Sequence, residues 1–317
     1  MRHIFMRPFA IIWAALATVV LLGAPSAYAQ SDEPLQITVG GGEGKPFALA
    51  APQFFAEGEE AQAIAAQIRE LALADLVGSG RFRLIDPASY IEQITDFNAP
   101  PEFSSWLAIN AEALLTGFVR TEPDGRILVQ YRLFDPGQAG QIIGFQHFAA
   151  PSEWRRLGHK VADAVYSQVT GEGGYFDSRI VYVDESGPKE RRVKRLAIMD
   201  QDGANRRYLT DGRDLVLTPR FSPNDQEVLY ISYERGEPQI FLLNLNTGQR
   251  EVLGNFPGMS FAPRFSPDGR RVIMSLAQGG NTDIWVMELA TRRLSRLTSG
   301  PSIETAPSFS PDGSQIA

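Results

Sequence analysis

The stretch "RFSPDGRRVIMSL" (residues 264–276) has a near copy upstream, "RFSPNDQEVLYIS" (220–232), and another downstream, "SFSPDGSQIA" (308–317). Phe221, Phe265 and Phe309 are therefore 44 residues apart, twice over. A fixed period of this size is the mark of a repeated structural unit. The flanks agree. "TPRFSP" (218–223), "APRFSP" (262–267) and "APSFSP" (306–311) align, "QIFLLNLNTGQREVL" (239–253) matches "DIWVMELATRRLSRL" (283–297), and "RLAIMDQDGANRRYL" (195–209) extends the series upstream.

Each unit reads as four short strands, about 217–221, 227–232, 239–244 and 249–253 for the one that starts at Leu217. In Ser266-Pro267-Asp268-Gly269 the proline sets φ at the second turn position and the glycine accepts positive φ at the end. Pro219, Pro263 and Pro307 fall inside the first strand of each unit. Proline cannot donate to a ladder, so that strand needs a free edge. "EVLYIS", "RVIMSL", "QIFLLN" and "DIWVME" are nearly continuous apolar runs, as expected of strands covered on both faces. Four-stranded sheets with one free edge, stacked on copies of themselves, are β-propeller blades, with the proline-bearing strand lining the channel. Propellers close with about 4–8 blades. Residues 175–317 supply about three and a fragment, so the sequence predicts an all-β propeller whose chain is truncated.

Ahead of the repeats lies a different pattern. Arg2 and Arg7 precede an apolar run from Phe9 to Leu22, then Ala27-Tyr28-Ala29. This is the layout of a secretory signal, cut between Ala29 and Gln30, and the apolar run is shorter than the ~20 residues a spanning helix needs. Residues 1–29 are thus expected to be removed and the rest exported. The absence of cysteine is compatible with export, because a chain of this size can build an ordinary core without disulfides.

From residue 47 to about 170 an α/β domain is expected. Strands are predicted at 35–39, 47–55, 81–86, 113–120, 126–135 and 141–150, with one helix over 59–80 and a second starting at Ser152. Two helices on one face of a small mixed sheet give each apolar stripe a partner. "GGGEGKP" (40–46) lacks the Ser or Thr and the following helix of a phosphate loop, so it reads as a hinge, and 30–46 as a tethered segment. His147 and His159 read as structural, with His159 on an exposed helix face, and Asp200-x-Asp202-Gly203 as a strand-connecting turn.

Composition excludes some functions. Without the leader, 28 basic residues face 37 acidic ones, and neither half has the basic excess a nucleic-acid binder needs. No Cys or His pair has metal-ligand spacing, and no catalytic, cofactor or metal residue is assigned.

An exported chain with a small α/β domain followed by "APxFSPDG" blades resembles the TolB family. The resemblance is carried by "LALADLVGSGRFRLID" (71–86), "SSWLAINAEALLTGFV" (104–119), "FDSRIVYVDE" (176–185) and "IMDQDGANRRYLT" (198–210). It implies a six-bladed propeller and a non-catalytic periplasmic adaptor. The implied partners are the outer-membrane lipoprotein Pal, at the channel mouth, and the inner-membrane protein TolA, at the mature N-terminus. It further implies roles in outer-membrane integrity, in cell division and in bacteriocin import. Carried onto this chain, the TolA-type segment is Leu35, Gln36, Ile37, Thr38 and Val39, and the Pal-type surface includes Leu217, Thr218, Met259, Ala262 and Thr305. The family often has a His near the place of Met259, so the resemblance leaves the contact pattern at that residue open. A gating propeller of an exported prolyl-oligopeptidase-like serine peptidase is the alternative. That enzyme needs a G-x-S-x-G elbow, and "GMSFA" (258–262) lacks the last glycine. A propeller enzyme with a histidine-bound cofactor in the channel is excluded for 175–317, which contains no histidine.

Overall fold

A computed structural model describes residues 45–317, apart from positions 225, 255 and 257. The expected cleavage site, the strand at 35–39 and most of the hinge lie outside the described residues.

The first part is a mixed sheet. Its strands are β1 (Phe47–Ala50), β2 (Phe55–Glu57), β3 (Phe82–Leu84), β4 (Ala113–Thr121), β5 (Ile127–Asp135) and β6 (Gly140–Ala149), in the order β3-β1-β4-β5-β6 with β2 also on β4. β1 runs parallel to β3 and β4, and β4-β5-β6 is an antiparallel meander. The single strand expected at 47–55 is two strands. Pro52 has no N–H to give a ladder, and the crossing between β1 and β2 is held by Arg69, whose Nε donates to the Pro52 carbonyl at 2.9 Å.

Helices α1 (Glu59–Gly78) and α3 (Trp154–Thr170) cover one face. Ile68 and Leu76 of α1 and Leu157, Val161 and Val165 of α3 meet Leu115, Val119 and Val129 of the sheet in one core. Gly158 sets how closely the helices approach, since a Cβ there would lie 3.0 Å from Leu71 and 3.2 Å from the Ile68 carbonyl. Against the expectation of two helices there is a third, α2 (Phe103–Ala108), on the opposite face. Its Trp106 is buried with Ala48, Ala50, Leu114 and Phe134. Six residues are too few to show a helical period, so this element was hidden.

The chain leaves α3 through Gly171, at φ 73, a left-handed helix stop. The connection is pinned. Asp163 accepts from the backbone N–H groups of Phe176 (2.7 Å) and Asp177 (3.0 Å), and Phe176 is buried in the α/β core.

The repeats then form antiparallel sheets of consecutive strands. These are β7 (Arg179–Ser186), β8 (Val193–Asp200) and β9 (Arg207–Tyr208); then β10 (Val216–Phe221), β11 (Glu227–Ser232), β12 (Gln239–Asn244) and β13 (Arg250–Val252); then β14 (Met259–Phe265), β15 (Arg271–Gln278), β16 (Asn281–Glu288) and β17 (Leu294–Arg296). A bridge between Phe309 and Ile316 begins the next unit. The proline-bearing strands β10 and β14 are edge strands, as the missing donors require.

The apolar runs are explained by alternation between two neighbours. Val228 and Tyr230 of β11 pack with Leu196 and Ile198 of the preceding sheet. Leu229, between them, packs with Val272, Met274 and Leu276 of the following one. Full burial of such side chains contributes about 1.5–3 kcal/mol each.

The Ser-Pro turns repeat as well. Ser266 donates to the Asp268 carboxylate and accepts from the Arg271 N–H at 2.9 Å, and Asp268 accepts from the Arg270 N–H at 3.1 Å. The same pattern recurs at Ser310, and at Ser222 with Asn224 as the acceptor. These bonds, with Ser266 the largest cause, hold Asp268 below the usual carboxylate range.

Candidate functional site

Two places in the fold depart from routine packing. The first is the start of each inner strand. Thr218, Ala262 and Ala306 have φ of 48°, 52° and 56°, three non-glycine residues in the left-handed region at the same repeat position. Each precedes a proline, which disfavours helical backbone for its neighbour and adds to the cost. Such residues cost about 1–3 kcal/mol each and persist where the surroundings over-determine them. The ladder slips here, between Leu217 and Arg220 and again between Phe261 and Arg264, so a bulge re-aims the residues ahead of it.

The expected rim residues fall around these bulges. Leu217 and Ala262 are half-buried, while Thr218, Met259 and Thr305 are exposed. β10 lies against β14, so the first four come from neighbouring strands. Thr305 belongs to a segment docked on the third sheet, where the Glu304 N–H donates to the Thr282 carbonyl and the Ala306 N–H to Ser275 Oγ. Gly258 ahead of Met259 is obligatory, with φ 90° and a Cβ position only 2.0 Å from the Ala277 carbonyl oxygen. Two further members were not expected. Leu215 and Ile303, one period before and after Met259, are also exposed, and the three are 40%, 73% and 50% accessible for Leu215, Ile303 and Met259. Applying the 44-residue spacing to Met259 finds both.

The second place joins the α/β domain to the first sheet. His159, expected on an exposed face, is buried at 2% accessibility. The helical period of α3 alone could not show that a propeller turn covers that face. Its Nδ1 lies 2.6 Å from Asp75 Oδ2 on α1, and Asp75 Oδ1 accepts from Gln201 Nε2 at 3.1 Å. Arg155 of α3 pairs with Asp202 in the turn after β8. Burial disfavours charge on His159, but its bond to Asp75, helped by Asp202, outweighs this and holds the imidazole above its usual value. Asp200, Asp202 and Gly203 do form the expected strand-connecting turn. Yet His159, Asp200 and Asp202 together present ligand atoms within 4.8 Å of one another, a grouping invisible in sequence spacing.

A mixed-sheet α/β domain leading directly into propeller blades with bulged, proline-bearing inner strands defines the class: a two-part β-propeller protein. A profile described as TolB amino-terminal domain matches residues 35–142, and one described as TolB beta propeller domain matches 166–317. The chain belongs to the TolB family. It is 50% identical over 247 residues to the Tol-Pal system protein TolB of Paramagnetospirillum magneticum, covering 78% of this chain and 55% of that one. It thus spans about half the length of that curated relative. The crystal structure of TolB from Acinetobacter baumannii is similar with a TM-score of 0.68 at 30% identity, over 86% of this chain and 65% of that one.

Proposed function

We propose that this chain is a non-catalytic periplasmic adaptor of the Tol-Pal system, linking a Pal-type lipoprotein at the outer membrane to a TolA-type protein at the inner membrane. In this role it would serve outer-membrane integrity, invagination during division and bacteriocin import. The observation that carries the reading is the 50% identity, over 247 residues, to a protein named for that system. The working parts are a leader at 1–29, a tethered TolA-type segment within 30–46, the α/β domain at 47–170 and the blades from 175.

The rim supports the Pal-type contact. Leu215, Met259 and Ile303 repeat an exposed apolar residue at the same position of successive units, and bulges held at strained φ present the neighbouring Thr218 and Ala262. An exposed apolar residue recurring on successive units suits a protein-docking rim. No helix among the described residues is long and apolar enough to cross a membrane.

Co-purification of the full-length gene product tests both contacts. Deleting residues 30–39 is expected to lose the inner-membrane partner and keep the lipoprotein. Met259→Asp is expected to do the reverse. Retention of both partners by both variants would refute the assignment.

A further inference from the structure

The junction of α3 with the first blade holds more than an ion pair. His159 Nε2 is buried and has no hydrogen-bond partner among the described residues. It points toward Asp202 Oδ2 at 3.9 Å, too long for a hydrogen bond. That gap is close to the separation of two ligands that each sit about 2.0–2.2 Å from a shared ion. Asp200 supplies a third ligand atom within 4.8 Å of the other two, and a closing movement of up to about 1.5 Å brings all three to tetrahedral ligand spacing.

The other ring nitrogen completes the argument. The Asp75 carboxylate accepts from Nδ1–H, so Nε2 is the nitrogen that gives up its proton to a bound metal and then turns its lone pair to the aspartates. A carboxylate behind a histidine is the usual support of a metal-binding imidazole, and here Gln201 in turn steadies Asp75. With the imidazole neutral, as a bound metal requires, Asp75, Asp200 and Asp202 carry three negative charges against one guanidinium, Arg155. A divalent ion would neutralise the remainder.

We propose that His159 Nε2, Asp202 and Asp200 form a site for a divalent transition metal of the zinc class, which ties the α/β domain to the first blade. One imidazole with two carboxylates suits zinc, cobalt, nickel or manganese, whereas calcium and magnesium take oxygen ligands alone. Asp202 sits on an exposed turn and gives the ion a way in. Arg155 holds the same Asp202 oxygen and Asn205 holds Asp200 Oδ2 at 2.6 Å, so the ion must share or displace these donors. Arg155 is therefore a competitor of the metal.

The test is titration of the full chain with Co2+, followed by visible absorption, then displacement by Zn2+. The site predicts one Co2+ per chain, displaced by Zn2+ and not by Mg2+ or Ca2+. Asp200→Asn, at a half-buried position that leaves Arg155 paired, weakens binding by about tenfold or more, as does Asp202→Asn. Arg155→Gln tightens it, an outcome a purely structural salt bridge does not give. His147→Gln leaves it unchanged. Absence of stoichiometric binding overturns the proposal. So does binding that survives both aspartate changes, or that is lost with His147.

Discussion

Between blades, Val228 and Tyr230 meet Leu196 and Ile198, and Leu229 meets Val272 and Met274, all apolar and repeated from one unit to the next. Between the α/β domain and the first blade, His159, Asp75 and Arg155 meet Gln201 and Asp202, all polar and occurring once. The blade contact is made of area, which is non-directional and tolerates copying. The domain contact is made of bonds whose geometry must be right, because an unpaired buried polar group is costly. The first kind stacks successive units of a duplicated sequence on one another. The second fixes one orientation of one partner.

This contrast can be broken from either side. The largest effect is expected at the blade contact. Tyr230 is fully buried, and Tyr230→Ala should cost about 3–5 kcal/mol in urea unfolding, through lost burial and the cavity left behind. At the domain contact, His159→Phe keeps the bulk but leaves Asp75 with Gln201 alone. We expect a loss of about 1–3 kcal/mol, and a separate early unfolding step for the α/β domain that Tyr230→Ala does not produce. Equal, single-step losses in the two variants would erase the distinction. The smallest effect, of opposite sign, is expected at the bulge. Ala262→Gly relieves a left-handed φ of 52° and should stabilise by about 0.5–1 kcal/mol, read as a higher midpoint in the same unfolding assay.

The contrast also explains what could be read in advance. The strands expected at 217–221, 227–232, 239–244 and 249–253 lie at Val216–Phe221, Glu227–Ser232, Gln239–Asn244 and Arg250–Val252. Their turns and apolar runs are local signals, and the repeat states them more than once. The helices α1 and α3 were legible for the same reason, from their periodic stripes. Features made by distant parts of the chain were not. The burial of His159 depends on a turn more than 40 residues away, and Trp106 finds its partners on β1, β4 and β5. The division of 47–55 could have been suspected from Pro52, but the crossing is fixed by Arg69 from the next helix. The rim is intermediate. The resemblance points to Met259, the 44-residue period points on to Leu215 and Ile303, and the left-handed residues beside them leave no local sequence signal.

The Pal-type contact of the adaptor reading uses the inner-strand rim as a protein-docking surface. Calorimetric titration of the Pal-type lipoprotein into the full-length product, wild type against Met259→Asp, tests it most directly. The account predicts saturable binding to the wild type, and at least a tenfold loss in the variant with its fold and unfolding midpoint retained. Equal affinity for the two proteins would contradict it.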